Sequence, residues 1–326
     1  MNDSAAPERL LLIINPISGV GDKAAIEPLV REMMTPAGYA VEVAYTCGRG
    51  DATRLAKEAV DKGYAAVLAA GGDGTVNETA AALCGSDTAL GIIPCGSGNG
   101  LARHLGIPID IREGIKVIHD EIPHSIDYAT VNDRKFFCTF GVGFDAAVSA
   151  AFAGKKRRGK LTYLQSTFQT YAHYEPELYT ITANGHTITE KAFLVAVCNA
   201  SQYGNNAYIA PSASIDDGLL DVTIIHAGNP LTTAMVGFDM LIGNIERNML
   251  IHSFRTSSLT IRRKGAGAAH LDGEPMELDE ELDITCHHKK LRVFAPASLP
   301  PFKPFLTPAS AMFADFRIAV NKLFQK

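Results

Sequence analysis

Three times in its first hundred residues the chain repeats one order of events: a short apolar run, a glycine-containing turn, then a segment with helical character. Leu10 to Ile14 runs into Asn15-Pro16-Ile17-Ser18-Gly19 and a helix expected to reach about Met34. Ala65 to Ala70 runs into Gly71-Gly72-Asp73-Gly74-Thr75 and a helix to about Leu83, and Leu90 to Pro94 runs into Cys95-Gly96-Ser97-Gly98-Asn99-Gly100. Between the first two, Ala40 to Thr46 alternates as a strand does and leads to a helix expected to be capped by Asp51. Strands joined by helices pair in parallel, because a parallel partner is reached only by a crossover. The region to about residue 125 therefore reads as an α/β domain with a parallel sheet, and its glycine turns leave on one edge of that sheet.

From Ser125 onward the grammar changes to short strands: Lys135 to Phe140, Leu178 to Ala183, Thr187 to Val197, Leu219 to Ile225, Ser258 to Arg263 and Leu291 to Ala295. Asn184-Gly185 between two of them is a hairpin signal. The clearest helices are expected at Thr162 to Tyr174 and Leu231 to Asn248. This reads as an antiparallel β-sandwich over residues 126–300, following the nucleotide-binding domain of residues 1–125. A proline-rich exit leads to a tail, 301–326, whose segment Ala309 to Phe324 carries an apolar helical stripe and is expected to pack back on the first domain.

Length and composition narrow the function. A chain of 326 residues with 47% hydrophobic and 20% charged residues is neither disordered nor fibrous and has room for about two domains. Thirty basic against thirty-five acidic residues, net −5, give no global attraction to nucleic acid, so no partner of that class is expected. The six cysteines have no CxxC or zinc spacing, no apolar run approaches the ~20 residues of a membrane span, and Met1 to Arg9 lacks a signal-peptide pattern. A cytoplasmic protein with reduced thiols is expected.

The sharpest chemical signal is Gly71-Gly72-Asp73-Gly74-Thr75-Val76-Asn77-Glu78 at a strand-to-helix junction. Glycines let backbone approach a ligand, and the unpaired N–H groups at a helix start favour phosphate oxygens. A carboxylate inside such a cradle repels bare polyphosphate, which points to a bridging Mg2+ or a proton-transfer role for Asp73. Taken alone, the tetrapeptide is equally a tight turn. Two further glycine turns on the same edge make a shared cleft the stronger reading.

Asn15-Pro-x-Ser-Gly19, Thr46 after the second strand, Gly71 to Glu78, Gly96-Ser-Gly-Asn-Gly-Leu-Ala102, Asp217-Gly-Leu-Leu-Asp221 and Leu271-Asp-Gly-Glu-Pro275 stand in the order of a known family. In these motifs the sequence resembles the lipid kinases with a diacylglycerol-kinase-type catalytic domain, which include bacterial diacylglycerol kinases and sphingosine kinases. The resemblance covers most of the chain and implies an NAD-kinase-like α/β domain followed by a β-sandwich, with ATP in the cleft between them. It implies that Asn15, Thr46, Gly71, Gly72, Gly74, Thr75, Asn77, Gly96, Ser97 and Gly98 hold the nucleotide, and that Asp272 and Glu274 reach in from the second domain. Glu274 is then the general base, with Asp73 the other candidate for that role. It also implies a structural Mg2+ site at the Asp217 carboxylate and the Ser214 and Leu219 carbonyls, where a plain β-turn is an equal reading.

The basic run Lys155 to Lys160 mimics a phosphate-binding P-loop but has Leu161 where Ser or Thr must hold Mg2+. By resemblance Lys156 contacts ATP phosphates; anionic lipid headgroups and plain solvation are the other readings. Gly141-Val-Gly143-Phe-Asp-Ala146 is expected to shape the lipid-facing side of the cleft, with Asp145 orienting a headgroup hydroxyl. His287-His288 reads as an exposed pair. The implied activity is ATP- and Mg2+-dependent phosphorylation of a lipid hydroxyl at a membrane surface, with a homodimer one assembly open to it. An NAD-kinase-type transferase and a non-catalytic nucleotide-binding regulator are the alternatives. The basic run and the apolar stripe near Phe313 and Phe316 together predict weak, reversible membrane attachment.

Overall fold

The computed structural model describes residues 6–19, 23–153, 170–171, 173–204, 207–245 and 248–297. Its first half is built on four parallel strands, β1 (Glu8–Ile14), β2 (Tyr39–Tyr45), β3 (Ala66–Gly71) and β4 (Ala89–Pro94), in the order β2-β1-β3-β4. Helices α1 (Ile26–Met34), α2 (Asp51–Asp61), α3 (Asp73–Leu83), α4 (Gly100–His104) and α5 (Ile111–Asp120) cover them. Alternate residues of these strands feed two cores. Leu11, Ile13, Val67 and Ala69 pack with Ala52, Ala56, Ala80 and Leu83 of α2 and α3, whereas Leu10, Leu12, Ile14, Leu68 and Ala70 pack with Ile26, Val30 and Met34 of α1 and Ile115 and Ile118 of α5. Burial on both faces is why β1, β3 and β4 read as unbroken apolar runs, whereas the edge strand β2 alternates.

The second half comprises β5 (His124–Val131), β6 (Arg134–Phe136), β7 (Thr139–Gly143), α6 (Phe144–Ala153), β8 (Glu177–Ala183), β9 (His186–Cys198), β10 (Leu220–His226), α7 (Pro230–Ile242), β11 (Ile251–Thr256), β12 (Ser258–Arg262), β13 (Gly267–Leu271), β14 (Glu274–Leu278) and β15 (Glu281–Val293). Two long strands pass from layer to layer. β9 pairs with β8 up to Ala192 and from Leu194 lies between β7 and β10. β15 pairs with β12 at its start, with β5 along most of its length, and at Val293 lies parallel to Leu90 of β4, which stitches the two halves into one sheet. The sandwich core between the layers holds Phe136, Phe140, Val142, Val195, Val197, Val222, Ile224, Ile181, Leu259, Ile261 and Ile284. The α/β domain followed by a β-sandwich-like domain is thus the architecture.

Several details differ from expectation, each for a local reason. The strand expected from Lys135 to Phe140 is split between Phe136 and Thr139, because three successive N–H groups there turn to the Asp272 carboxylate. The helix expected to reach Asn248 stops at Ile242, where Gly243 at φ 67° takes the left-handed position that ends a helix. The strand expected at Leu291 is only the end of β15, whose earlier part is hidden by its polar alternate residues. Asp51 is not the cap of α2 but its first residue; its carboxylate reaches back to the Cys47 and Gly48 N–H groups. Asn184 and Gly185 form the expected hairpin turn, with φ of 52° and 76°. The basic run with Lys156, most of the Thr162 to Tyr174 helix and the 301–326 tail lie outside the described residues.

Candidate active site

The three glycine turns meet at the carboxyl ends of β1, β3 and β4, where open α/β sheets place ligands. Their contact is too close for side chains. A Cβ on Gly96 would stand 2.7 Å from Gly72 Cα, one on Gly98 would stand 2.6 Å from Asp73 Oδ2, and one on Gly19, already at φ 62°, would run into the Cys95 carbonyl. Asn15 ties the first turn to the second by donating from Nδ2 to Thr75 Oγ1 at 3.0 Å. Buried Thr46 directly follows β2 beside it, its N–H on the Ile14 carbonyl. Ser97 is exposed at the rim of the third turn.

Asp73 opens α3, yet it is no free carboxylate. Its Oδ2 accepts the Asn99 N–H at 2.9 Å and its Oδ1 the Gly100 N–H at 2.6 Å, so it clamps the second turn to the start of α4. Asp73 therefore has a structural duty beside the metal or proton role expected of it. Asn99 folds the third turn on itself at φ 52°, with Oδ1 on the Gly96 N–H and Nδ2 on the Gly96 carbonyl.

The second half contributes the hairpin between β13 and β14. Asp272 and Gly273 form its turn with φ of 50° and 82°, so Leu271-Asp-Gly-Glu-Pro275 is both a tight turn and a site element. The Asp272 carboxylate receives four donors: the N–H groups of Phe137, Cys138 and Thr139 at 2.9, 2.7 and 2.9 Å, and Asn77 Nδ2 at 3.0 Å. Burial nevertheless pushes its carboxyl up to about 6, against the lowering effect of those backbone N–H groups. Two residues on, Glu274 Oε2 takes a 2.9 Å contact from Arg49, and Oε1 lies 3.3 Å from where a Cβ on Gly74 would be. An ion pair between side chains 85% and 50% exposed contributes at most about 1 kcal/mol, so it is readily exchanged. Of the three carboxylates gathered here, Asp73 and Asp272 have both oxygens engaged by N–H groups, whereas Glu274 has one oxygen facing the glycine loop.

Sequence reasoning missed Arg49, Asn99 and the N–H row of residues 137–139. Only Asn99 carried a signal, since an Asn among glycines suits a left-handed position. It also missed Glu78, which accepts the Gly50 N–H and so holds the loop bearing Arg49. Asp145 is buried against Tyr203 Oη at 2.7 Å and His270 Nε2 at 3.1 Å, and His270 in turn receives the Gly273 N–H, so this cluster braces the hairpin turn from behind. Asp145 thus sits in a buried network beside the cleft, in the first turn of α6. At the other expected Mg2+ site, Asp217 accepts the Leu219 N–H at 3.0 Å and pairs with Arg255, while Ser214 Oγ donates to Asp216. A cation there competes with a guanidinium. Of the pair expected to be exposed, His288 is exposed with its ring on buried Asp127, whereas His287 is half-buried and stacked on Tyr128.

A cavity of about 680 Å³ opens at the opposite, amino ends of the strands, between Glu8, Tyr39, Tyr64, Thr88 and Arg292. Its glycine turn, at Gly63, follows the end of α2 and so presents a helix C-terminus rather than the helix start that favours polyphosphate.

Residues 9–131 match the diacylglycerol kinase catalytic domain, and residues 138–295 match the YegS C-terminal NAD kinase beta sandwich-like domain. The chain belongs to this lipid kinase family. Among its relatives, the probable lipid kinase YegS-like protein of Chromohalobacter salexigens is 31% identical over 83% of this chain and 86% of its own. That of Klebsiella pneumoniae is 32% identical over 82% and 89%. Among solved structures, a diacylglycerol kinase-like protein of Bacillus anthracis str. Sterne superposes with a TM-score of 0.76 at 26% identity, covering 90% of this chain and 99% of that one. The lipid kinase is therefore an enzyme of a family that uses ATP, and among the described residues no helix is long and apolar enough to cross a membrane.

Proposed function

We propose that the protein transfers the γ-phosphate of ATP, with Mg2+, to a hydroxyl of a lipid such as diacylglycerol or a sphingoid base. The observation that carries this reading is the Glu274 carboxylate held beside Gly74, where a hairpin of one domain overhangs the glycine turns of the other. The close approach of Gly72, Gly96 and Gly98 fits a polyphosphate, since any side chain there would fill the space. Asn15, Thr46, Gly71, Gly72, Gly74, Thr75, Asn77, Gly96, Ser97 and Gly98 bind it in this reading. Asp73 is the residue that would hold Mg2+ with the nucleotide, and the ion would supply the positive charge that lets polyphosphate lie among carboxylates.

In the transfer Glu274 takes the proton of the lipid hydroxyl, because its Oε1 is the carboxylate oxygen facing the loop. Asp272 fixes the turn that aims it. Collection of the lipid from a membrane surface is part of this reading, and exposed Leu231 and Leu241 on α7, with Met249 beyond it, support such contact. Incubation with γ-labelled ATP, Mg2+ and separate vesicles of diacylglycerol, monoacylglycerol, sphingosine and ceramide, with NAD as a soluble acceptor, tests it. Label in a lipid product supports the reading, and label in NAD alone replaces it.

A further inference from the structure

Arg49 has no part in the roles assigned above, yet it is the side chain that holds the reactive carboxylate. Its backbone is pinned on both sides: Asp51 Oδ2 accepts the Cys47 and Gly48 N–H groups at 2.7 and 3.1 Å, and Glu78 Oε1 accepts the Gly50 N–H at 2.9 Å. The loop is thus fastened to α2 and α3, while the Arg49 side chain stands in solvent with Glu274 as its partner. A guanidinium on such an anchor keeps its position and is free to change what it binds. Glu274 Oε1 is beside Gly74, so the guanidinium lies within a side chain's reach of the first turn of α3, where the glycine turns would hold a terminal phosphate.

Among the described residues, two other cations at the turns are already committed there. Lys23 Nζ is on Ser18 Oγ and the Pro16 carbonyl, and Arg103 Nε donates to the Gly98 carbonyl at 2.8 Å; both brace the turn they belong to. Arg49 instead crosses to the other domain. Phosphate, with more charge than a carboxylate and several oxygens, is the better partner for the planar donor fork of arginine.

We propose that Arg49 is an exchange residue of the transfer site: it holds Glu274 in the nucleotide-free protein and moves to the terminal phosphate of the bound nucleotide, which releases the Glu274 carboxylate to accept the substrate proton. The proposal rests on the reading of the protein as an ATP-dependent kinase with Glu274 as base. It makes Glu274 and ATP competitors for one guanidinium, and competition of that kind is measurable without turnover.

The test is calorimetric titration of the full-length protein with Mg2+ and ATP or ADP, in the absence of lipid, for wild type, Arg49→Met, Arg49→Lys, Glu274→Gln and the Arg49→Met/Glu274→Gln pair. Arg49→Met is expected to weaken ATP by about tenfold and ADP by less than about twofold, with Arg49→Lys between, since the γ-phosphate that the guanidinium would contact is absent from ADP. Glu274→Gln is expected to tighten ATP by about threefold, and the gain is expected to vanish in the double variant. Equal effects of Arg49→Met on ATP and ADP, no effect on either, or a gain from Glu274→Gln that persists without Arg49 would each overturn the proposal. These outcomes leave the kinase reading standing when wild type transfers label to lipid. A wild type that binds no ATP removes both.

Discussion

Asn77 Nδ2 donates a 3.0 Å hydrogen bond to Asp272 Oδ2 across 195 positions of sequence. It joins the first turns of α3, which carry the glycine loop, to the hairpin that carries Glu274. The other three donors to Asp272 are backbone N–H groups of its own domain, so Asn77 is the side chain through which the nucleotide loop reports to the hairpin.

Removing each partner should therefore cost different things. Asn77→Ala leaves Asp272 with three donors and is expected to lower stability by about 1 kcal/mol, the ordinary net worth of a hydrogen bond. Asp272→Ala strands three adjacent N–H groups and is expected to cost on the order of 3 kcal/mol or more, because orphaned donors bear their desolvation. Urea unfolding midpoints of the two variants check the ranking. Equal losses would show that the backbone donors find other partners.

Two buried groups give opposing pH dependences. Burial holds the Asp272 carboxyl at about 6, above its unfolded value, so its contribution is fully present below about pH 4 and is lost as pH rises through 6. Burial holds the His104 ring, whose Nδ1 takes the Ser201 N–H, at about 4, below its unfolded value. Its contribution is present above about pH 6.5 and is lost as pH falls toward 4. Each is worth at most roughly 3 kcal/mol, and between pH 4 and 6 the two slopes offset one another. Relative to wild type, Asp272→Asn should make stability rise more steeply with pH in that window and His104→Gln less steeply. Urea midpoints at pH 4, 5, 6 and 7 test this, and parallel profiles for all three proteins would refute it.

The parts of the fold legible in the sequence are those where one physical signal dominates. Strands buried on both faces advertise themselves as apolar runs, as in Leu10 to Ile14, and glycine turns between strand and helix mark where a ligand can approach. The β13–β14 hairpin was legible as a motif but not as strands, because its core-facing residues in β14 are only Met276 and Leu278 and are interrupted by Glu274, Pro275 and Glu277. Long-range partnerships were illegible. Nothing in Phe137-Cys138-Thr139 says that its N–H groups face a carboxylate more than 130 positions away, and Arg49 stands in a polar loop like any solvated arginine. Asp73 shows the limit most clearly: its place in the glycine loop was readable, but the clamp on Asn99 and Gly100 depends on how two crossovers stack.

That clamp changes what Asp73→Asn should do. A carboxamide can accept one of the two N–H groups and presents its own N–H to the other, so the third turn loosens from the second. Loss of transfer is expected together with weaker nucleotide binding and about 1–2 kcal/mol of stability, while the circular dichroism spectrum remains native. Unchanged ATP affinity with abolished turnover would instead place Asp73 in the proton or metal chemistry alone. Full turnover would remove it from the site.

Glu274→Gln separates binding from chemistry in the most direct way. Glutamine keeps the length of the side chain and its place on the first residue of β14, and the half-exposed setting of Glu274 means the fold should tolerate it. What disappears is the capacity to take a proton. General-base assistance is typically worth ~10²–10⁴-fold, so turnover at saturating ATP and lipid should fall by about that factor. Nucleotide affinity should not fall, and should rise by the roughly threefold expected from release of Arg49, because the proton-accepting interaction that is lost belongs to the transition state rather than to the ground-state complex. Single-turnover rates with pre-bound ATP measure the chemical step apart from product release. If those rates stayed near wild type while ATP binding collapsed, Glu274 would be a nucleotide or metal contact, and the proton would have to pass to Asp73, whose two oxygens would first have to leave the Asn99 and Gly100 N–H groups.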